Sequence, residues 1–331
     1  MKKITSFILL LSLTLSLNYC KKDNNDDNNN TNNNPTAKVP VLKTNAITDI
    51  KAKKAEGSGE ITDKGSFDII VAGLCWSLNQ NPTISDNKTA DSSGTMVFNS
   101  TIKGLKPVTT YYVRAYATNK AGTAYGDAVS FTTVEGLTDI DNNIYEIIKI
   151  GDQTWMQENL RTTHYQNNDA IQFLANKDKW IESDSGAYCL YANSVANEQT
   201  YGKLYNWYAV NDNRKLCPAG WHVPSDQEWQ TLIDFLGGKD EAGAKMKAID
   251  ALWKAPNKGA SNSSGFSGLP AGCRLGFDGS YYFLNSYTFY WTATAADAQT
   301  AWYRSLMYDE AASGKLSYDF KYGFSVRCIK D

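Results

Sequence analysis

The sequence predicts an all-β sandwich domain followed by an α+β domain. Three observations carry that expectation. Residues 39–134 are short β-branched and aromatic runs broken by Gly, Pro, Asn and Asp. Residues 225–237 hold one well-marked amphipathic helix, with a weaker helical pattern over Asp240 to Trp253. From Gly265 to Ile329 the chain is rich in Gly, Tyr, Trp, Ser and Thr with little helical period, which reads as short strands and long loops.

The start of the chain sets the compartment. Lys2 and Lys3 precede an apolar run, Ile4 to Leu17, that is too short to span a bilayer, and Cys20 follows. This is the pattern of a secretion signal. Leu17-Asn18-Tyr19-Cys20 resembles a bacterial lipobox, which implies a lipoprotein signal peptide over residues 1–19 and lipidation of Cys20. Between Asp23 and Asn34 the chain contains only Asp, Asn and Thr. With no apolar side chain to bury, nothing offsets the entropy of ordering it. Residues 20–38 are therefore expected to be a disordered tether. Charged residues make up 21% of the chain and the formal net charge is −2, so a nucleic-acid partner has no electrostatic support.

The sandwich is expected over residues 39–134. "FDIIVAGLCWSLN", "GTMVFNSTIKGL", "TTYYVRAYATN" and "GDAVSFTT" have the length and composition of its strands. Alternation places Tyr111, Val113, Ala115 and Ala117 on one face and Tyr112, Arg114 and Tyr116 on the other. Leu105-x-Pro107-x-Thr109-x-Tyr111 resembles the tyrosine corner of fibronectin type III and immunoglobulin-like domains. That resemblance implies that the Tyr111 hydroxyl ties down a strand-to-strand corner. Cys75 stands beside Trp76 in an apolar run and reads as a buried, unpaired thiol.

The second domain, residues 138–331, opens on strands, with Ile144 to Ile150 β-rich. Ser225 and Glu228 have the spacing of a capping box. Trp229, Leu232, Ile233 and Leu236 then form one apolar stripe, and Gly237 supplies the C-terminal cap. Four cysteines lie in this domain, Cys189, Cys217, Cys273 and Cys328, and in an oxidising compartment they allow three pairings.

"GKLYNWYAV", "CPAGWHVPSDQEWQTL", "SGFSGLPAGCR", "YWTATAADAQTAWYRSL" and "GFSVRCIKD" follow one another in the order of the signatures of the Fibrobacter-type major paralogous domain. The resemblance covers residues 138–331 and implies an α+β C-type-lectin-like fold, akin to formylglycine-generating enzymes, in a Bacteroidetes-type lipoprotein. It further implies a disulfide between Cys217 at the first helix and Cys328 in the last strand, and this leaves Cys189 with Cys273 as the second pair. A bridge closing a loop of about 110 residues would constrain the unfolded chain by roughly 4–5 kcal/mol.

Reactive chemistry finds little to stand on. His164 and His222 are the two histidines, with no H-x-x-x-H or C-x-x-C spacing, so no metal or other cofactor is expected. His222, between Trp221 and Val223, reads as a hydrogen-bonded structural residue. Formylglycine-generating enzymes use a closely spaced late cysteine pair, whereas Cys273 and Cys328 stand far apart. No G-x-S-x-G elbow or P-loop is present. Asp278, Asp297, Asp309 and Glu310 are scattered acids whose separation decides whether glycosidase chemistry is open to them.

Binding has more support. The loop-rich segment after the second helix carries Arg274, Asp278, Tyr281 and Tyr282, with Tyr287 and Tyr290 beyond, and tyrosine offers a flat apolar face and a polar tip. The calcium-lectin triplets Glu-Pro-Asn and Gln-Pro-Asp are absent. The expected function is that of a non-enzymatic, lipid-anchored protein of the cell envelope. It would sit in the outer membrane, exposed at the surface, and use Arg274, Asp278, Tyr281 and Tyr282 to bind a glycan or a protein. The alternatives are a degenerate or uncharacterised enzyme on the same fold and a structural envelope component. If Cys20 carries the anchor, Cys20→Ala moves the protein from the membrane fraction to the soluble one or blocks maturation. Fractionation identical to the parent's would refute the anchor.

Overall fold

A computed structural model describes residues 36–91 and 95–331. The signal peptide, the lipidation site Cys20 and almost all of the expected tether lie outside those residues.

Lys38 to Asp331 form one compact unit that begins with two packed sheets. Strands β1 (Val41–Thr44), β2 (Lys54–Asp63) and β5 (Val97–Lys103) make the first, in the order β1-β2-β5. The second contains β3 (Val71–Ser77), β4 (Asn87–Lys88), β6 (Thr110–Asn119), β7 (Gly122–Tyr125) and β8 (Val129–Thr132). Its order is β4-β3-β6-β7, with β8 also pairing β6. Between the sheets Leu74, Trp76, Phe98, Ile102, Val113 and Ala115 are buried in one cluster, as period-two alternation requires. The Tyr111 hydroxyl accepts a hydrogen bond from the Lys106 amide at 3.0 Å, closing the corner. Tyr116 departs from the alternation. Although it stands on the outer face, its ring is buried and its hydroxyl donates to the Thr89 carbonyl. Cys75 is buried and unpaired, and burial pushes its thiol up to about 11.

The rest of the chain joins short sheets to short helices. Strands β9 (Leu137–Thr138), β10 (Ile144–Tyr145), β11 (Ile147–Ile150) and β12 (Gln153–Met156) open it. The β-rich run divides at Glu146, whose carboxylate accepts from the Ala52 and Lys53 amides at 2.9 and 3.1 Å and so ties this segment to the sandwich. Next come β13 (Gln172–Phe173), α1 (Lys177–Glu182), β14 (Ala187–Cys189), α2 (Val195–Tyr201), β15 (Leu204–Tyr205) and α3 (Trp207–Val210). Then follow β16 (Trp221–His222), α4 (Asp226–Phe235) and α5 (Lys239–Met246). Strands β17 (Ala271–Arg274), β18 (Tyr281–Leu284), β19 (Tyr287–Ala295), β20 (Thr300–Met307) and β21 (Ser313–Asp319) form a five-stranded sheet. Its order is β18-β17-β19-β20-β21. The last strand, β22 (Ile329–Lys330), returns to complete the sheet β11-β12-β22-β16.

The period-two rule divides the core along β19. Phe289 and Trp291 face a cluster with Trp207, Tyr303 and Phe324. Tyr290 faces the opposite way, into a cluster with Trp155, Trp229, Leu232, Ile233 and Phe266. The apolar stripe of α4 fills that second cluster, as its spacing predicts. Ser225 and Glu228 form the capping box in full, and Gly237 adopts φ +97°. The second helix is shorter than the sequence pattern, because Lys247 turns inward immediately after Met246.

Cys217 and Cys328 are bonded, and this staple ties the segment before β16 to the segment before β22. The second expected pair is corrected: Cys189 and Cys273 are buried free thiols. Burial raises the Cys189 thiol to about 11 and that of Cys273 to about 12, so both behave as small apolar side chains.

Three fully buried cations are satisfied mainly by main-chain carbonyls. Arg274 donates to Gly279, Leu174 and Ala175 at 3.0, 2.5 and 3.1 Å, with its plane over Trp180 and Tyr281. Arg327 donates to the Met156, Phe266 and Ser267 carbonyls and to Asn159 Oδ1. Lys247 Nζ donates to Lys258, Met307 and Glu310 at 3.0, 2.9 and 2.7 Å, and burial pulls its ammonium down to about 8. Most of these carbonyls belong to irregular backbone, and Met156 and Met307 are the last residues of β12 and β20, so the cations serve backbone where regular pairing stops.

His222 is held as the sequence suggests. Its Nδ1 lies 2.6 Å from Asp331 Oδ1 and its Nε2 lies 2.9 Å from Glu228 Oε1. A carboxylate at each ring nitrogen requires both nitrogens to donate, which is the imidazolium form. Burial pulls the imidazole pKa down, but Asp331 and Glu228 outweigh it and leave the value raised above 6.5. Burial pushes Glu228 up, but bonds from Ser225 and His222 outweigh that and hold it below 4.5. The raised histidine adds stability that is fully present below its unfolded value and is lost as pH rises through its folded one. The depressed Glu228 adds stability above 4.5 that is lost as pH falls through its folded value. His222 is 42% exposed, so solvent screening keeps the effect to a fraction of a kcal/mol. In urea unfolding at low salt, His222→Ala is expected to be less stable than the parent at pH 6 and equal to it at pH 9. A gap that persists at pH 9 would refute this linkage between His222 and its two carboxylates.

Candidate functional site

A cavity of about 340 Å³ opens where four segments of the second domain meet. The stretch after β12 brings Gln157, Glu158, Asn159 and Arg161. The end of α2 brings Gln199, Thr200 and Gly202, and the turn after α5 brings Ile249 and Asp250. Asn262, Ser267 and Leu269 supply the last wall. The volume falls at the lower end of the range for small-ligand pockets, about 300–1,000 Å³.

Local physics fixes each wall. Arg327 lies beneath the site and binds Asn159 Oδ1 at 3.0 Å and the Ser267 carbonyl at 2.9 Å, so one buried guanidinium ties two walls together. Asn159 also donates to the Tyr201 carbonyl at 2.8 Å, which draws in the end of α2. Gly202 makes that approach with φ +76°, and a Cβ there would stand 2.7 Å from the Asn159 Cβ. Ser267 is held at φ +55°, a left-handed conformation that costs an ordinary residue on the order of 1 kcal/mol. Asn262 sustains it, accepting from the Ser267 amide at 2.9 Å and donating to its hydroxyl at 3.0 Å.

The remaining polar groups are available to a ligand. No hydrogen bond engages the Gln199 side chain among the described residues. Asp250 uses one oxygen to accept from the Leu252 amide, and Gln157 uses its nitrogen on the Gly265 carbonyl. Glu158 is committed: one oxygen pairs with Lys53 of the sandwich, and the other accepts from the Glu146 amide at 3.1 Å. Arg161 lies over the Tyr145 ring and donates to the Ile144 carbonyl at 3.0 Å. The cavity therefore presents the Gln199 carboxamide, the Gln157 amide oxygen and the second Asp250 oxygen beside the Arg161 guanidinium, with Ile249, 70% exposed, and Leu269 as apolar edges.

Residues 148–330 match the sequence model of the Fibrobacter succinogenes major domain. The chain belongs to that family. Every residue lining this cavity lies in the matched region, whereas the sandwich lies before it. No curated protein matches the chain. Among solved structures, the sensor domain of the anti-sigma factor RsgI4 in Pseudobacteroides cellulosolvens is 22% identical over 29% of this chain and 96% of its own, with a TM-score of 0.22. A fibronectin type III domain derived from human KIAA0970 protein is 17% identical over 31% of this chain and 79% of its own, at 0.22. Chicken CNTN1 FN1–FN3 domains are 16% identical over 30% of this chain and 33% of theirs, at 0.24.

None of the residues expected to bind lines this cavity in the family domain. Arg274 is corrected outright: it is fully buried and serves the backbone. Tyr281 is half-buried against Arg274 and Tyr191, with its hydroxyl donating to Asn193 Oδ1. Asp278 accepts from the Ser280 amide in the turn between β17 and β18, and Tyr282 is exposed on β18. The cavity itself escaped sequence reading because its polar residues come from four distant segments. One trace was present: Asn262 and Gly265 within "SNSSGFSG" favour left-handed backbone. Arg274→Met strands three carbonyls and is expected to cost about 3 kcal/mol or more in urea unfolding, whereas Tyr282→Ala stays within about 1 kcal/mol. Equal effects of the two would contradict these assignments.

Proposed function

We propose that this chain is a lipid-anchored protein of the cell envelope whose family domain, a C-type-lectin-like module, binds a neutral glycan in the cavity walled by Gln199, Asp250, Asn262 and Ser267. The observation that carries the reading is the chemistry of that wall. The Gln199 carboxamide donates and accepts at once, the Gln157 and Asp250 oxygens accept beside it, and every hydroxyl of a sugar can do both. The exposed Ile249 edge offers an apolar surface for the C–H face of a sugar ring. Commitment of Glu158 to Lys53 leaves Asp250 as the free carboxylate, which favours recognition over hydrolysis by two carboxyl groups.

The anchor rests on the charged, apolar and cysteine-ended start of the chain and on the Asn/Asp-rich stretch after it. On this reading the sandwich is a spacer. Glu146 and the Lys53–Glu158 pair join it to the cavity domain, so the site is presented on a firm base.

A glycan array probed with the purified protein is expected to return neutral oligosaccharides. Against the best of them, Gln199→Ala with Asp250→Ala is expected to weaken binding at least roughly tenfold, since each change removes a hydrogen bond to the ligand. Thermal melting should change little, because the Gln199 side chain bonds nothing among the described residues and Asp250 makes one local, exposed bond to the Leu252 amide. Unchanged affinity in the double variant, or an array empty of glycans, would sink the proposal.

A further inference from the structure

We propose that a second cleft, between β9 and the Cys217 segment, binds a primary alkylammonium group against the imidazole of His164. The cleft holds about 310 Å³ and shares no lining residue with the glycan cavity, so the two readings fail independently.

Asp141 sets the tautomer of His164. Its Nδ1 lies 2.5 Å from Asp141 Oδ1, a distance that requires a proton between them. Asp141 also accepts from the Thr163 amide and from the Thr162 and Thr163 hydroxyls. Burial pushes this carboxyl up, but those bonds and His164 outweigh burial and hold it below 3.8, so it remains the acceptor. Nδ1 therefore carries the proton of that bond, and in the neutral imidazole the lone pair lies on Nε2. No partner meets that nitrogen among the described residues, and His164 lines the cleft.

The remainder of the lining selects the ligand. Gln166 spends its nitrogen on the Cys217 carbonyl at 2.6 Å, leaving its amide oxygen as an acceptor. Asp139 also lines the cleft; its oxygens accept from the Asp141 and Asn143 amides, the Asn143 side chain and the Tyr145 hydroxyl, so it contributes charge rather than a free acceptor, and no Lys or Arg is among the lining residues. The cleft thus offers acceptors and negative charge at one end. Ile140, Leu216 and Pro218 form an apolar wall beside them. A group with several N–H donors, positive charge and an alkyl stem fits both halves. An alcohol matches the acceptors but not the charge, and a carboxylate opposes it.

The test uses the ¹⁵N-labelled full chain and long-range ¹H–¹⁵N spectra of the His164 ring. In the free protein Nδ1 should be protonated and Nε2 bare. n-Butylammonium should shift Nε2 and bind at least tenfold more tightly than 1-butanol, with butyrate inert. Nα-acetyl-lysine methylamide distinguishes a protein side chain from a free amine as the source, and binding by either compound supports the site. Ala219→Trp, which fills the mouth, should abolish the shift, and Ile140→Ala should weaken binding severalfold. Gln199→Ala in the other cavity should leave it intact. A protonated Nε2, equal affinity for butanol, preference for butyrate, or no response of the parent protein would overturn the proposal.

Discussion

Buried cations bound to main-chain carbonyls are the interaction on which the family domain depends. Much of the domain is irregular backbone, and irregular backbone carries carbonyls that no ladder satisfies. Arg274, Arg327 and Lys247 answer this by collecting carbonyls from segments far apart in sequence. Arginine suits the task because its planar fork reaches several acceptors at once, and flanking aromatic rings accept its faces. Trp180 and Tyr281 flank Arg274, while Phe266 and Tyr290 flank Arg327. Carbonyls rather than carboxylates complete these shells, so each cation organises loops without fixing an acid beside it.

The disulfide and the helix cap serve the same end from another direction. Cys328 immediately follows Arg327, so the staple to Cys217 holds the segment before β22 that places the guanidinium under the cavity. β22 pairs with both β12 and β16, which brings the start and finish of the domain into one small sheet. The wall residues Gln157 to Arg161 leave directly from β12. Glu158 at that wall is then gripped by Lys53, and the sandwich becomes part of the support for the site. Stability and site geometry are thus set by the same contacts.

The helix was legible because its signals are local. Ser225, Glu228, Trp229 and Leu232 act within two turns of one another, and the structure keeps every one of those roles. The sandwich face was legible for a similar reason, since β6 alternates in place; Tyr116 broke the pattern only through a long-range bond to the Thr89 carbonyl. Arg274 misled because a charged residue among tyrosines resembles a binding surface in sequence. Its actual partners, the Leu174 and Ala175 carbonyls, stand about a hundred positions away. Cys189 and Cys273 misled through their even number, although folding left both thiols buried and free.

By itself the sequence determined the elements whose physics is complete within a few residues: the capped helix, the alternating strands, the tyrosine corner and the order of the family motifs. Tertiary structure alone decided which polar residues share a cavity. Gln157, Gln199, Asp250 and Ser267 carry no mutual spacing along the chain. They meet because Arg327 draws Asn159 and Ser267 together and because Gly202 lets α2 end against them. It likewise decided that His164 lines a cleft with Nε2 unpartnered among the described residues, since Asp141, more than twenty positions earlier, holds Nδ1. A local signal survives in sequence because its cause is local; a site assembled by buried long-range bonds exists only once the chain has folded.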